Sequence, residues 1–276
     1  MADNYLEKQY QQYEVRKSMM GKSVTKPTKK SGLGRRVFIT GGASGIGKAI
    51  VKAFSNAGYR VAFCDIDEHN AKITALETKS KHFVLDVCNA EELGKCMNSL
   101  FKEWGDIDIL INNVGISSFK PITECSIEDF DKTISTNLRP VFITSRLLAI
   151  HRKNKIIKNK FGRIINICST RYLMSESGTE GYSASKGGIY SLTHALSISL
   201  SELNITVNSI SPGWIENYNY DKLKEEDHLQ HPSRRVGKPE DIARMCLFLC
   251  NEENDFINGE NITIDGGMTK KMIYIE

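Results

Sequence analysis

The sequence predicts an α/β protein with one doubly wound parallel sheet of about seven strands and helices on both faces. Three observations carry that expectation. Short apolar runs recur along the chain, most of them separated by segments of helical periodicity. The first run leads directly into a glycine-rich turn and a helix, the start of a βαβ unit. The length of 276 residues, with 40% hydrophobic and 25% charged residues, suits one large α/β domain of ordinary globular composition.

In chain order, residues 1–36 carry nine Lys/Arg against three Asp/Glu, a net +6 that leaves −2 for the remainder. The overall +4 therefore belongs to an extension. Leu6, Tyr10, Tyr13 and Met20 recur at roughly helical spacing and predict a short amphipathic helix that needs a surface, such as a neighbouring subunit. Lys22 to Arg36 lacks interleaved aromatics, so a solvated linker is expected and a nucleic-acid partner is not. Residues 1–32 are read as this extension and 33–276 as a single domain, since no internal linker or repeat follows residue 36.

Residues 37–40 read as a buried strand running into Gly41 to Gly47. The helix that follows places Ile46, Ile50, Ala53, Phe54 and Ala57 on one stripe, and Gly58 ends it before the second strand at 61–64. Further strands are expected at 82–85, 107–111, 163–167, 205–210 and 261–264. Strands alternating with helices in this way give a Rossmann-type sheet.

No apolar run approaches the ~20 residues of a membrane span, and the first thirty residues lack a secretory apolar core. A cytoplasmic protein without a membrane partner is expected. The seven cysteines (64, 88, 96, 125, 168, 246 and 250) are odd in number and lack paired CxxC spacing, which fits a reducing compartment. Cys246 and Cys250 share a helical face but flank Leu247, Phe248 and Leu249, so they read as small core residues and no metal site is predicted.

Gly41, Gly45 and Gly47 stand at the strand-to-helix turn, where absent side chains admit a pyrophosphate and the helix N-terminus offers free N–H donors. Asp65 ends the second strand, where a carboxylate accepts from both hydroxyls of an adenosine ribose and repels a 2′-phosphate. NAD is therefore favoured over NADP. The competing reading makes Asp65 a strand-end or helix-capping residue, with Asp67 two positions on.

Ser169 precedes Tyr182 by thirteen residues, and Lys186 follows Tyr182 by four. On a helix, residues four apart share a face with β-carbons about 5–6 Å apart. A cation about 4 Å from a phenol at an effective dielectric near 20 favours its ionised form by roughly 4 kcal/mol. Such a tyrosine would exchange a proton near neutrality. The spacing alone also describes a packed tyrosine and an exposed lysine, so the neighbouring motifs must decide.

With these residues in hand, the chain resembles the short-chain dehydrogenase/reductase family over about residues 33–268. Thr40 to Gly47 resembles the family's cofactor turn, which brings in Ser44 and Ile46. Asp86 and Val87 resemble its adenine contact, and the run Asn112, Asn113, Val114, Gly115 its central-strand motif. Asn137 matches its helix asparagine, Ser169 its serine, Tyr182 and Lys186 its Tyr-x-x-x-Lys, and Pro212-Gly213 the loop beside the nicotinamide, followed by Ile215 and Asn217. Val114 in place of alanine and Asn217 in place of threonine depart from the pattern without removing a reacting group.

The resemblance implies hydride transfer between NAD and a secondary alcohol or ketone. Tyr182 would act as general acid/base, Ser169 would stabilise the substrate oxygen, and Lys186 would tune the tyrosine and hold the nicotinamide ribose. Asn137 would anchor the water chain that returns the proton to solvent. It also implies a homo-oligomer, tetramer or dimer, built on long helices including residues 130–150 and 183–202. Two rivals stand beside it: an NAD-binding regulator without chemistry, and an NADP-dependent 3-oxoacyl-carrier-protein reductase, against which Asp65 and Ser44 argue.

Substrate identity should lie in the loops 116–121, 170–181 and 214–235. Phe119, Tyr172, Leu173, Met174 and Trp214 suit either an apolar pocket for a ring substrate such as a hydroxysteroid or simple packing over the cofactor. Arg171 suits either an anionic group or a surface ion pair. The polar segment 216–235, with a helical stretch at 222–227, is expected to act as a lid and suits a sugar or polyol equally.

Overall fold

The computed structural model describes residues 34–154 and 161–272. All that follows concerns the unit Gly32–Glu276; the amphipathic helix expected in the first twenty residues lies outside the described residues.

Among the described residues, seven strands form one sheet: β1 (Arg36–Thr40), β2 (Arg60–Asp65), β3 (Lys81–Val84), β4 (Ile109–Asn112), β5 (Gly162–Ile167), β6 (Ile205–Pro212) and β7 (Asn261–Ile264). All pairings are parallel and the order is β3-β2-β1-β4-β5-β6-β7. The chain winds outward from β1 in one direction and from β4 in the other, so a crevice opens between them at the carboxyl edge. The helices are α1 (Gly45–Asn56), α2 (Glu68–Thr78), α3 (Ala90–Trp104), α4 (Ile127–Asn137), α5 (Arg139–Lys153), α6 (Glu180–Ser199), α7 (Glu225–Leu229) and α8 (Pro239–Leu249).

The strands are near-continuous apolar runs because both faces are covered. Val37, Ile39, Ile109 and Ile111 face one layer, where Ile50 and Phe54 of α1 meet Ile242, Cys246 and Leu249 of α8. Their neighbours Phe38 and Leu110 face the other layer, with Met97 and Leu100 of α3, Leu148 of α5 and Leu196 of α6. The period of two along each strand thus splits its side chains between two cores. Among the described residues no helix is long and apolar enough to cross a membrane.

Several boundaries differ from the sequence reading, most by a residue at a strand end. β4 begins at Ile109 rather than at 107, because the Arg36 backbone N–H donates to the Asp108 carboxylate, 2.8 Å, instead of to a ladder carbonyl. β6 continues to Pro212, since Ser211 and Pro212 pair with Thr263 and Ile264 of β7. The helix expected through 130–150 is two helices. Pro140 lacks an N–H, and the Val141 N–H turns to the Leu138 carbonyl at 3.2 Å, so the chain breaks at Leu138 between α4 and α5. The other long helix, expected through 183–202, stops at Ser199 and gives way to a short 3₁₀ turn, Ser201–Leu203.

Candidate active site

The glycine turn follows β1 and is built so that backbone meets backbone. Gly41 and Gly45 take positive φ, +72° and +51°. A β-carbon on Gly47 would fall inside the van der Waals shell of the Gly41 carbonyl oxygen. Asn113, just past β4, ties the turn to the central strand: its Nδ2 donates to the Thr40 and Gly41 carbonyls at 3.1 and 2.9 Å. The Thr40 hydroxyl in return accepts the Asn113 N–H at 3.0 Å.

At the head of α1, Ser44 makes no side-chain capping bond and the first turn holds no acidic residue. Its hydroxyl instead accepts from the Tyr218 hydroxyl at 3.3 Å. The first-turn N–H groups of α1 are thus left without a side-chain acceptor at a helix end that favours anions.

Asp65 ends β2 with its carboxylate divided: Oδ2 accepts the Ala43 N–H at 2.9 Å and Oδ1 the Asp67 N–H at 3.0 Å. Capping of α2 belongs to Asp67, whose Oδ1 accepts the Asn70 N–H at 3.0 Å. Asp65 is therefore fixed beside the glycine turn rather than spent on a helix end. Asp86 holds the Cys88 N–H at 2.9 Å, and Val87 beside it is buried.

Lys186, on α6, is 3% exposed; its Nζ donates to the Ile167 carbonyl at 3.0 Å and lies 5.5 Å from the Tyr182 ring centroid. The ammonium therefore lies over the tyrosine ring, held by the end of β5. Ser169 follows β5, and its hydroxyl accepts the Arg171 N–H at 3.2 Å. Across the cleft, Gly115 leaves room that a β-carbon would fill to within 3.3 Å of Lys186 Nζ.

Asn137 is placed differently from its sequence partners. Its side chain is buried and committed: Oδ1 accepts the Ile116 N–H at 2.8 Å, while Nδ2 donates to the Ile116 carbonyl and the Ser185 hydroxyl, each at 3.0 Å. Ser185 in turn donates to the Tyr182 carbonyl at 2.7 Å. The amide thus splices the loop after β4 to the helix of Tyr182, and at the α4/α5 break the Val141 N–H, four residues on from Asn137, donates to the Leu138 carbonyl.

Gly213 donates its N–H to the Ile264 carbonyl at 2.9 Å, and a β-carbon there would stand 2.7 Å from Asp265 Cβ. Burial works against the Asp265 carboxylate, but the Thr269 and Gly267 N–H groups, at 2.7 and 2.8 Å, outweigh it and hold the group below the usual carboxylate range. Ile215 bridges to Gly237, and Asn217 approaches the open side of Gly45.

These elements enclose one cleft of about 560 Å³. It is lined by Gly41, Ser44, Gly45, Ile46, Gly47, Asp65, Asp86, Val87, Asn113, Gly115, Pro212, Gly213, Ile215 and Asn217, and, at its far end, by Ser169, Tyr182 and Lys186. Of the catalytic candidates, Asn137 stands behind the lining, and Phe119, Arg171, Tyr172, Leu173, Met174 and Trp214 of the substrate loops also lie outside it. Lys132, Thr136, Ser117 and Tyr218 also face the cleft without having been singled out. Lys132 and Thr136 are four apart and share a face of α4, but neither stands at helical spacing from Asn137; Tyr218 lies in an irregular loop that offers no signal.

The aromatic candidates separate. Tyr172 stacks on Tyr190 of α6 at 4.7 Å, and Trp214 packs against His231 at 6.0 Å. Phe119 meets Tyr182 of the cleft lining, edge-on at 5.9 Å and 85°. Cys168 lines the cleft beside Ser169, but burial pushes its thiol up, which makes it a poor nucleophile.

A family model described as enoyl-(acyl carrier protein) reductase matches residues 41–269. An uncharacterized oxidoreductase of Thermotoga maritima is 42% identical over 258 residues, covering 88% of this chain and 99% of that protein. The 3-oxoacyl-[acyl-carrier-protein] reductase FabG of the same organism is 33% identical, covering 85% and 98%. Among solved structures, an apo SCOR enzyme from Clostridium thermocellum superposes with a TM-score of 0.79 at 42% identity, covering 87% of this chain and 95% of that one. A putative gluconate dehydrogenase from Agrobacterium tumefaciens gives a TM-score of 0.80 at 29% identity, covering 87% and 98%. With its seven-stranded parallel sheet and these matches across most of its length, the chain belongs to the short-chain dehydrogenase/reductase family, a family of oxidoreductases.

Proposed function

We propose that this oxidoreductase interconverts a secondary alcohol and a ketone with NAD(H), using Tyr182 as general acid/base. The observation that carries the reading is the sharing of one cleft by two groups of residues: the glycine turn with Asp65 at one end, and Ser169, Tyr182 and Lys186 at the other. The residues at the first end fit a nicotinamide dinucleotide. Gly47 leaves a cradle that a β-carbon would fill, the α1 N-terminus lacks a competing acid, and Asp65 presents a carboxylate pinned by backbone N–H groups. Gly41, Gly45 and Gly47 would hold the pyrophosphate, and Asp65 the adenosine ribose while repelling a 2′-phosphate. When bound, the cofactor takes or gives a hydride.

The chain's own residues handle the proton and the oxygen. Tyr182 Oη gives or takes the hydroxyl proton, and the Lys186 ammonium stands over its ring. The Ser169 hydroxyl, already accepting from the Arg171 N–H, keeps its own proton free to donate to the substrate oxygen. The Asn137 side chain positions the loop and helix on either side. Its main-chain carbonyl at the helix break is the place for a water that returns the proton.

The same reading includes a cytoplasmic homo-oligomer, tetramer or dimer, for which half-exposed Phe142 on α5 and exposed Ile198 on α6 provide apolar surface. A hydroxysteroid, polyol or sugar remains a substrate class for the screen. The second reading, an NADP-dependent 3-oxoacyl-carrier-protein reductase, draws support from the FabG relative; Asp65 and Ser44 weigh against it. The test is a substrate panel run with NAD and NADP in parallel, following absorbance of the reduced nicotinamide. The proposal expects NAD-linked turnover of at least one secondary alcohol. Tight NAD binding with a silent panel would point instead to a regulator, and strict NADP dependence to the second reading.

A further inference from the structure

Arg171 stands two residues beyond Ser169, and its backbone is fixed to that serine by the 3.2 Å bond from its N–H to the serine hydroxyl. Its guanidinium carbon lies 6.0 Å from the centroid of the Phe119 ring. Phe119 meets Tyr182 edge-on at 5.9 Å. A cation and the proposed proton-transfer group therefore flank one aromatic ring, just outside the lining of the cleft, where the distal end of a substrate would emerge.

We infer that Arg171 anchors a carboxylate of the substrate, so that the enzyme acts on hydroxy and oxo acids whose acid group lies several bonds from the reacting carbon. This rests on the alcohol–ketone reading above. The Arg171 side chain is 21% exposed, whereas that of its partner Glu176 is 77% exposed, with Nη2 to Oε2 at 2.7 Å. A pair so open to water is worth about 0–1 kcal/mol and exchanges readily.

The neighbouring cation behaves otherwise. Lys120 pairs with Asp129 at 2.6 Å, and Asp129 is also part of the capping box of α4 with Ser126, which fixes it. The Lys120 N–H donates to the Gly178 carbonyl at 3.2 Å and joins the two substrate loops into one wall. Arg171 is thus the wall's exchangeable cation. A planar guanidinium takes a carboxylate through two parallel N–H bonds, and a substrate acid can replace Glu176 without leaving the arginine unpaired. The exposed Phe119 ring covers the carbons between the two substrate ends.

The test compares 3-hydroxybutyrate, 4-hydroxypentanoate and 5-hydroxyhexanoate with their methyl esters, reading kcat/KM with NAD. The wild-type protein is expected to prefer the acid at one or more chain lengths. Arg171→Gln should cut the acid-to-ester ratio about 10- to 100-fold, chiefly through KM. Arg171→Lys should restore part of the ratio, and Glu176→Gln should raise it by removing the competing carboxylate. An acid-to-ester ratio near one, or a ratio unmoved by Arg171→Gln, overturns the anchor while the alcohol–ketone reading stands. No turnover of any acid, ester or other alcohol with either cofactor overturns both.

Discussion

At the amino edge of the sheet, Asp108 accepts the Arg36 backbone N–H at 2.8 Å and Arg36 Nε and Nη2 at 2.7 Å each, while Asp106 accepts Arg152 Nη2 at 3.0 Å. At the carboxyl edge, Asp65 accepts only backbone N–H groups, and Ser169, Tyr182 and the glycine turn face a cleft. Both edges hold polar side chains taken out of bulk water. At the amino edge each carboxylate meets a cation of the same chain, and the hydrogen bonds that the Arg36 side chain donates to Asp108 hold Arg36 above its ordinary range. At the carboxyl edge the backbone fixes Asp65 and Ser169 in place, and both face the cleft. Charge satisfied internally marks a part of the fold that stabilises. Charge positioned but unsatisfied marks a part that binds.

The largest expected effect lies at the amino edge. Asp108→Ala leaves the Arg36 guanidinium without its main partner and should cost about 3–5 kcal/mol in urea unfolding, with turnover per folded molecule retained. A cost under about 1 kcal/mol would break the contrast between the edges. Next, Gly47→Ala forces the turn open against the Gly41 carbonyl. Overpacking of about 1–3 kcal/mol concentrated in the cofactor turn should weaken NAD binding roughly 10- to 100-fold by calorimetry, and unchanged affinity would show that the cradle is not used.

Asp65→Ser should erode the NAD-over-NADP ratio of kcat/KM about tenfold or more, since the repelling carboxylate is gone; an unchanged ratio removes Asp65 from the site. The smallest effect concerns acid stability. Burial opposes the Asp241 carboxylate, but Arg235 and the Lys238 N–H outweigh it and hold it below the ordinary carboxylate value. A depressed folded pKa contributes stability above the unfolded value of about 3.9, lost as pH falls through the folded one. Asp241→Asn should therefore flatten the acid limb of a stability–pH curve below about pH 4, and an identical limb would remove Asp241 from that contribution.

Much of the carboxyl edge was legible because its chemistry forces residue types into short spacings. A turn that brings Gly47 against the Gly41 carbonyl admits only glycine, and the strand that follows must end near Asp65. The strand runs were legible because two covered faces leave no polar position in β1 or β4 until their ends. Less of the rest could be read. The α4/α5 break depends on where the Val141 N–H turns, which Pro140 permits but does not dictate. The split roles of Phe119, Tyr172 and Trp214 depend on which neighbour each ring meets, and nothing in their spacing encodes that. The amino-edge network joins Arg36, Asp106, Asp108 and Arg152 from distant segments and left no local pattern to find.

The central claim is that Tyr182 moves the proton in a cleft that binds NAD independently of it. Single-turnover oxidation by wild-type protein and Tyr182→Phe, with NAD affinity measured on both, tests it most directly. The account predicts a rate loss of about 10²- to 10⁴-fold with NAD affinity nearly unchanged, whereas a phenylalanine variant that turns over at the wild-type rate would contradict it.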